Sequence, residues 1–160
     1  MNRMRSQGFT LLELIIVVLV IALVLAVSYP SLSRGSSSIR LRATGRDVLS
    51  TFRYAREKAV TEQTGMQVTV DRQTQELILT NDIGDGARRY KMPATVKISR
   101  MSLAGNEVKE GPMIVRFLPN GSAENAEILL TSDTGSFLRI ITDPITGGAR
   151  IVLGSGEVGQ

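Results

Sequence analysis

The run FTLLELIIVVLVIALVLAV, from Phe9 to Val27, constrains this chain more than any other feature, and its only polar side chains are Thr10 and Glu13. At ~1.5 Å per residue it makes a helix of roughly 28 Å, close to the ~30 Å hydrocarbon core of a bilayer. The leader before it, Met1–Gly8, carries Arg3 and Arg5. That charge predicts a cytoplasmic N-terminus with the rest of the chain translocated. A secretory signal would place a small-residue cleavage site after the apolar run, whereas here the chain continues SYPSLSRG. A plain single-span anchor accounts for all of this except Glu13.

An ionised carboxylate at membrane depth costs about 2.5–3.5 kcal/mol on insertion scales, and such groups are usually paired and functional. No Lys or Arg lies between Phe9 and Val27. Cutting the chain between Gly8 and Phe9 would supply a cation, because the new α-ammonium of Phe9 could face Glu13 of a neighbouring molecule. That pairing would neutralise both charges and fix the axial offset between two packed helices. A polymer has a use for such a device and a lone anchor has none. Gly8 suits the cut, since it obstructs no protease at the membrane surface and leaves the backbone easy to extend.

Gly8-Phe9-Thr10-Leu11-Leu12-Glu13-Leu14, behind a short basic leader, resembles the processing site of type IV pilins and type II secretion pseudopilins. The resemblance implies cleavage after Gly8 by a prepilin peptidase, N-methylation of Phe9, and a role for Glu13 in assembly. Pro30 falls where these proteins commonly place a helix-bending proline.

Composition narrows the chemistry available. Of 160 residues none is Cys and none is His. Disulfides, thiolate metal sites and the usual general base and metal ligand are therefore absent. We expect no catalytic residue, no metal site and no cofactor. With the first 27 residues set aside, roughly 130 remain, enough for one small core. The formal charge of +4 is uneven: Arg34–Lys58 holds seven basic residues against Asp47 and Glu57, while residues 59–160 hold ten basic against twelve acidic. Basic residues next to an apolar run suit anionic lipid, and a slightly acidic head is a poor nucleic-acid surface.

Pro30 removes a backbone donor and predicts a kink in a continuing helix. The serine-rich SLSRGSSS that follows reads either as a flexible stretch or as a helix that melts on assembly. From about Ile39, Val48, Phe52, Ala55 and Ala59 recur at helical spacing, with Leu49 and Val60 beside them and Arg46, Arg53, Arg56 and Glu57 opposite. This is an amphipathic helix with a stripe made to pack on a sheet. After Gly65 the period becomes two. MQVTV and ELILT read as strands about a polar turn, followed by Thr95–Met101, Met113–Leu118, Glu127–Leu130, Phe137–Thr142 and Ala149–Leu153. SLAGNEVKEG reads as a polar loop, and Asn120-Gly121 as a tight turn with both residues suited to positive φ. The expected fold class is α+β: a long N-terminal helix, transmembrane in its first half and amphipathic in its second, packed on an antiparallel sheet head. The expected segments are a cleaved leader (1–8), a membrane and assembly helix (9–29), a linker and amphipathic helix (30–63), a β head (64–153) and a flexible tail (154–160).

The later stretches YAREKAVTEQTGMQVTV, VRFLPNGSAENAEILL and TGGARIVL are similar to the GspH/FimT branch of pseudopilins, with Phe117-Leu118-Pro119-Asn120-Gly121 as its late turn. The resemblance implies a non-enzymatic minor subunit of a type II secretion pseudopilus, anchored in a bacterial inner membrane with a periplasmic head. Its implied partners are the prepilin peptidase, other major and minor pseudopilins, an inner-membrane assembly platform driven by an ATPase, and exported protein substrates. The alternative is a FimT-like minor pilin engaged in pilus assembly or DNA uptake. Phosphate neutralisation needs clustered cations, and only Arg88, Arg89 and Lys91 form a local patch on the head. Two further patterns lead nowhere. GSGEVG (154–159) fits a dinucleotide fingerprint but lacks the following helix and strand. Asp82 and Asp85 lack the alternating oxygens of a calcium loop.

Overall fold

Two hydrophobic periods, one helical and one of two, share a single core in the second half of this chain. The computed structural model describes residues 9–154, with side chains at 9–25 and 37–154 and backbone alone at 26–36. The chain forms two compact units, Met1–Ser36 and Ser37–Gln160. The leader 1–8 and all of the tail after Gly154 lie outside the described residues.

Helix α1 runs from Leu11 to Glu62 without interruption, through Pro30 and the serine run. The backbone of that run is helical here. A proline inside a helix forfeits one backbone bond, and serine is only a middling helix former. Propagation of an already nucleated helix tolerates both, because each further residue adds a bond without a new nucleation cost.

From residue 37 onward α1 becomes amphipathic. Leu41, Val48, Phe52, Ala55 and Ala59 are all at most 3% exposed, while Arg46, Arg53, Arg56 and Glu57 face outward. Leu49 is half-buried and Val60 exposed, so the stripe is narrower than its apolar letters suggest.

Among the described residues nine strands form two antiparallel sheets. The first contains β1 (Met66–Asp71), β2 (Glu76–Asn81), β3 (Arg88–Lys91) and β6 (Met113–Phe117), in the order β3-β2-β1-β6. The second contains β4 (Val96–Leu103), β5 (Asn106–Glu107), β7 (Ala126–Ser132), β8 (Phe137–Thr142) and β9 (Ala149–Gly154), in the order β5-β4-β7-β8-β9. The alternation that marks most of them in sequence is the alternation of burial: Met66, Val68 and Val70 point inward from β1, and Met113, Val115 and Phe117 from β6.

Helix α1 meets both sheets through this core. Phe52 packs edge-on against Phe117 of β6, with ring centroids 5.6 Å apart at 62°. Gly45 sits where a Cβ would come within 2.7 Å of Leu138 Cδ2 on β8. Arg56 ties the helix to two turns, its Nε donating to the carbonyls of Gly121 at 3.2 Å and Thr146 at 2.6 Å.

The α+β class is as expected, with three local differences. β3 is a strand although RRYK shows no hydrophobic alternation; its sidedness comes only from register, with Tyr90 opposite Leu77 and Arg88 opposite Leu79. The loop SLAGNEVKEG contains a hairpin from β4 to β5, closed by Ala104 (φ 50°) and Gly105 (φ 81°). Two consecutive positive φ values are the requirement of a type I′ turn. At Asn120-Gly121 only Gly121 is left-handed (φ 86°), and its amide donates to the Leu118 carbonyl at 2.9 Å. Pro119, held near φ −65°, takes the first corner of that turn and leaves Asn120 on the ordinary side.

Candidate assembly and processing site

The residues singled out at the N-terminus are Gly8, Phe9, Glu13 and Pro30. Gly8 lies outside the described residues, and Pro30 is described in backbone alone, within α1. Phe9 stands two residues before the start of α1, with Thr10 between, and is 78% exposed. Glu13 occupies the first turn and is also exposed.

Thr10 explains where the helix starts. Its hydroxyl accepts from the Glu13 amide at 3.2 Å, and its carbonyl accepts from the amides of Glu13 at 3.1 Å and Leu14 at 3.2 Å. Thr10-Leu11-Leu12-Glu13 therefore has the spacing of a capping box, with threonine at the cap and glutamate three residues on. That signal is present in the sequence and was missed beside the larger question of the carboxylate. It also gives Glu13 a local benefit, an anion at the positive end of a helix, worth about 0.3–1 kcal/mol. The benefit is smaller than the roughly 2.5–3.5 kcal/mol that the same charge costs at membrane depth. Capping alone does not account for a carboxylate here.

Beyond Glu13 the helix shows apolar side chains on every side. Each large one between Leu11 and Leu25 is exposed, the least of them Val17 at 45%. An element apolar all round belongs in a membrane or inside a larger protein assembly. Among the described residues no helix is long and apolar enough to cross a membrane. The side chains described end at Leu25, and in the sequence the apolar run continues through Ala26 and Val27.

Among the described residues no group of acidic side chains could hold a metal ion. Asp82 accepts a hydrogen bond from Gln67 at 2.9 Å, and Asp85 lies in a turn whose amide is held by the Asn81 side chain at 2.7 Å. Asp143 caps the turn between β8 and β9, where the amides of Thr146 and Ile145 hold its carboxyl below the ordinary value.

A titratable hydrogen bond joins α1 to the first sheet. The Tyr90 hydroxyl donates to Asp47 Oδ2 at 2.9 Å. Burial, followed by the Asp47 carboxylate, pushes its pKa up to about 12. The neutral phenol is therefore favoured in the fold. Its contribution is complete below the unfolded tyrosine pKa and is lost as pH rises from about 10 towards the folded value. A spectrophotometric titration of the phenolates should show a component near 12 that Tyr90→Phe removes.

Residues 3–29 match the family described as the prokaryotic N-terminal methylation motif. Residues 33–147 match the family described as type II transport protein GspH. The type II secretion system protein H of Xanthomonas campestris pv. campestris is 24% identical over 148 residues, covering 92% of this chain and 84% of that protein. Two solved structures of the minor pseudopilin EpsH from the type II secretion system of Vibrio cholerae share the fold at 12% identity. They give TM-scores of 0.59 and 0.61, covering 74% of this chain and 97% and 99% of theirs.

Proposed function

This chain belongs to the GspH family of type II transport proteins, and on that premise we propose that it is a non-enzymatic minor subunit of a type II secretion pseudopilus. The methylation motif over residues 3–29 marks it as a membrane-anchored, pilin-like protein. In this reading a prepilin peptidase cuts between Gly8 and Phe9 and methylates the new amine. The observation that carries it is the exposed apolar part of α1 from Leu11 to Leu25, whose one carboxylate, Glu13, stands in the first turn, four residues past the Phe9 at which the cut is proposed.

Removal of the leader leaves the Phe9 α-ammonium at the positive end of α1, where a cation is disfavoured. Glu13 of an adjacent subunit answers that charge, and the Phe9 amine in turn offsets the desolvation of Glu13. The apolar sides of neighbouring helices then cover one another. The leader is cytoplasmic, the run from Phe9 lies in the inner membrane, and the head is periplasmic. Pro30 bends α1 where it leaves the bilayer. Partners in this reading are the peptidase, other pseudopilins, the assembly platform and exported proteins. The DNA-uptake alternative has little support in the head: Arg88 stacks on Tyr54, its guanidinium carbon 4.9 Å from the ring centroid, and Lys91 approaches Glu76 at 4.0 Å.

Intact mass of the membrane-extracted protein, from cells with and without a prepilin peptidase, tests the processing step. The expected result is loss of Met1–Gly8 and gain of one methyl, only where the peptidase is present. A full-length mass in both strains would make the apolar run a plain anchor.

A further inference from the structure

β3 stands at the end of its sheet, paired on one side with β2 and with no strand on the other among the described residues. It is short and carries Arg88, Arg89 and Lys91. Short, charged edges are the usual defence against pairing with another copy of the same edge. Like charges across a strand pair repel, so a second β3 is disfavoured here. The same charges favour an acidic strand.

The register separates the two faces of this edge. Arg88 and Tyr90 lie opposite Leu79 and Leu77, both buried, so they share the face turned towards α1. Arg89 and Lys91 lie opposite Ile78 and Glu76 and leave the strand on the outer face, and Arg89 at this edge also reaches the rim of the cleft between helix and sheet. On the α1 side a cleft of about 370 Å³ opens between helix and sheet, with Tyr54, Leu79 and Tyr90 in its lining and Arg88 and Arg89 beside them. The hydroxyl groups of Ser50, Thr51 and Tyr90 in its lining are already engaged. Ser50 and Thr51 donate to the Asp47 carbonyl at 2.8 and 3.0 Å, and the Tyr90 hydroxyl donates to the Asp47 carboxylate. What the cleft offers is aromatic and apolar surface rimmed by the guanidinium groups of Arg88 and Arg89. Among the described residues neither Arg88 nor Arg89 has an ion-pair partner, and Lys91 has only the loose contact with Glu76.

We propose that the free edge of β3 and the cleft beside it take an extended segment of a partner protein in which acidic residues alternate with apolar ones. The segment adds a strand to the sheet, so backbone hydrogen bonds supply affinity and alternate side chains supply specificity. Its apolar residues enter the cleft over Tyr54, Leu79 and Tyr90. Its carboxylates lie on the outer face, where Arg89 and Lys91 stand as cross-strand partners. Three cations on one short strand serve a short acidic peptide better than a nucleic-acid backbone, which needs a longer track of phosphate contacts. The inference does not rest on the pseudopilus reading.

The test uses the full chain in detergent micelles and a fluorescent hexapeptide alternating Glu and Val, followed by anisotropy. Saturable binding is expected, weakened about tenfold or more by the double variant Arg89→Gln, Lys91→Gln and weakened by added salt. Circular dichroism of the variant verifies that its fold is kept. The same peptide N-methylated at alternate amides keeps its charge but cannot complete a strand, and is expected not to bind. The proposal is overturned by an absence of saturable binding up to about 1 mM peptide, by equal binding to the variant, or by equal binding of the N-methylated peptide. Tighter binding of an oligothymidylate than of the peptide would overturn it in favour of a nucleic-acid surface.

Discussion

Glu13→Gln protein is expected to be cleaved, methylated and membrane-bound, yet to fall about a hundredfold in its recovery with the assembled pseudopilus. The substitution separates the two explanations of this carboxylate. Glutamine serves as well as glutamate at the third position of a capping box, so a residue that only starts the helix should tolerate the change. A residue that neutralises the Phe9 amine of its neighbour should not. The magnitude follows from the cost of leaving one charge uncompensated at membrane depth, about 2.5–3.5 kcal/mol, which at 1.36 kcal/mol per decade corresponds to a factor of roughly one hundred. The measurement compares the variant in sheared pseudopili with the variant left in the membrane, by quantitative immunoblot. Wild-type recovery of Glu13→Gln would reduce Glu13 to a cap. A parallel Thr10→Ala variant removes the cap and keeps the charge. Its loss is expected to be only several-fold, in line with a cap worth about 1 kcal/mol.

Phe52→Ala is expected to destabilise the second unit by about 3–5 kcal/mol, the range for emptying a large aromatic site in a core. Phe52 is 1% exposed and packs edge-on against Phe117, itself fully buried. The variant loses this aromatic contact as well as apolar area, and the cavity falls where α1 meets the first sheet. A marginally stable domain has only about 5–15 kcal/mol in total, so the variant should stand close to unfolding at growth temperature. Phe52→Leu keeps most of the volume and should cost much less. Denaturant unfolding of the full chain in mild detergent, followed by far-UV circular dichroism, gives both values. A loss below about 1 kcal/mol for Phe52→Ala would mean that the site collapses around the missing ring.

The amphipathic half of α1 and most of the strands were legible because each side chain there reports its own burial by its hydrophobicity. Val48, Phe52, Ala55 and Ala59 repeat with the turn of a helix, and Met66, Val68 and Val70 with the pleat of a strand. β3 was not legible, because Arg88, Arg89 and Lys91 are exposed on both faces and only pairing with β2 makes RRYK a strand. At the late turn the Asn-Gly pair suits two positive φ values, but Pro119, fixed at a φ of about −65°, sets the first corner and only Gly121 is left-handed. The serine run was ambiguous for a related reason: helix propensity there is too weak to decide between helix and coil without its flanks.

The sequence by itself determined the apolar run, the lone carboxylate at its start, the adjoining Gly8-Phe9 pair, the absence of histidine and cysteine chemistry, and the α+β class. These follow from local periodicity and from residue types that need no partner to be read. Only the tertiary structure decided that the head is divided into two sheets, that α1 meets one through Phe52 and the other through Gly45, and that a basic edge strand lies beside an aromatic cleft. Those outcomes depend on strand order and register, which arise from contacts between residues far apart in the chain, and hydrophobic spacing along a segment carries no record of which other segment will lie beside it.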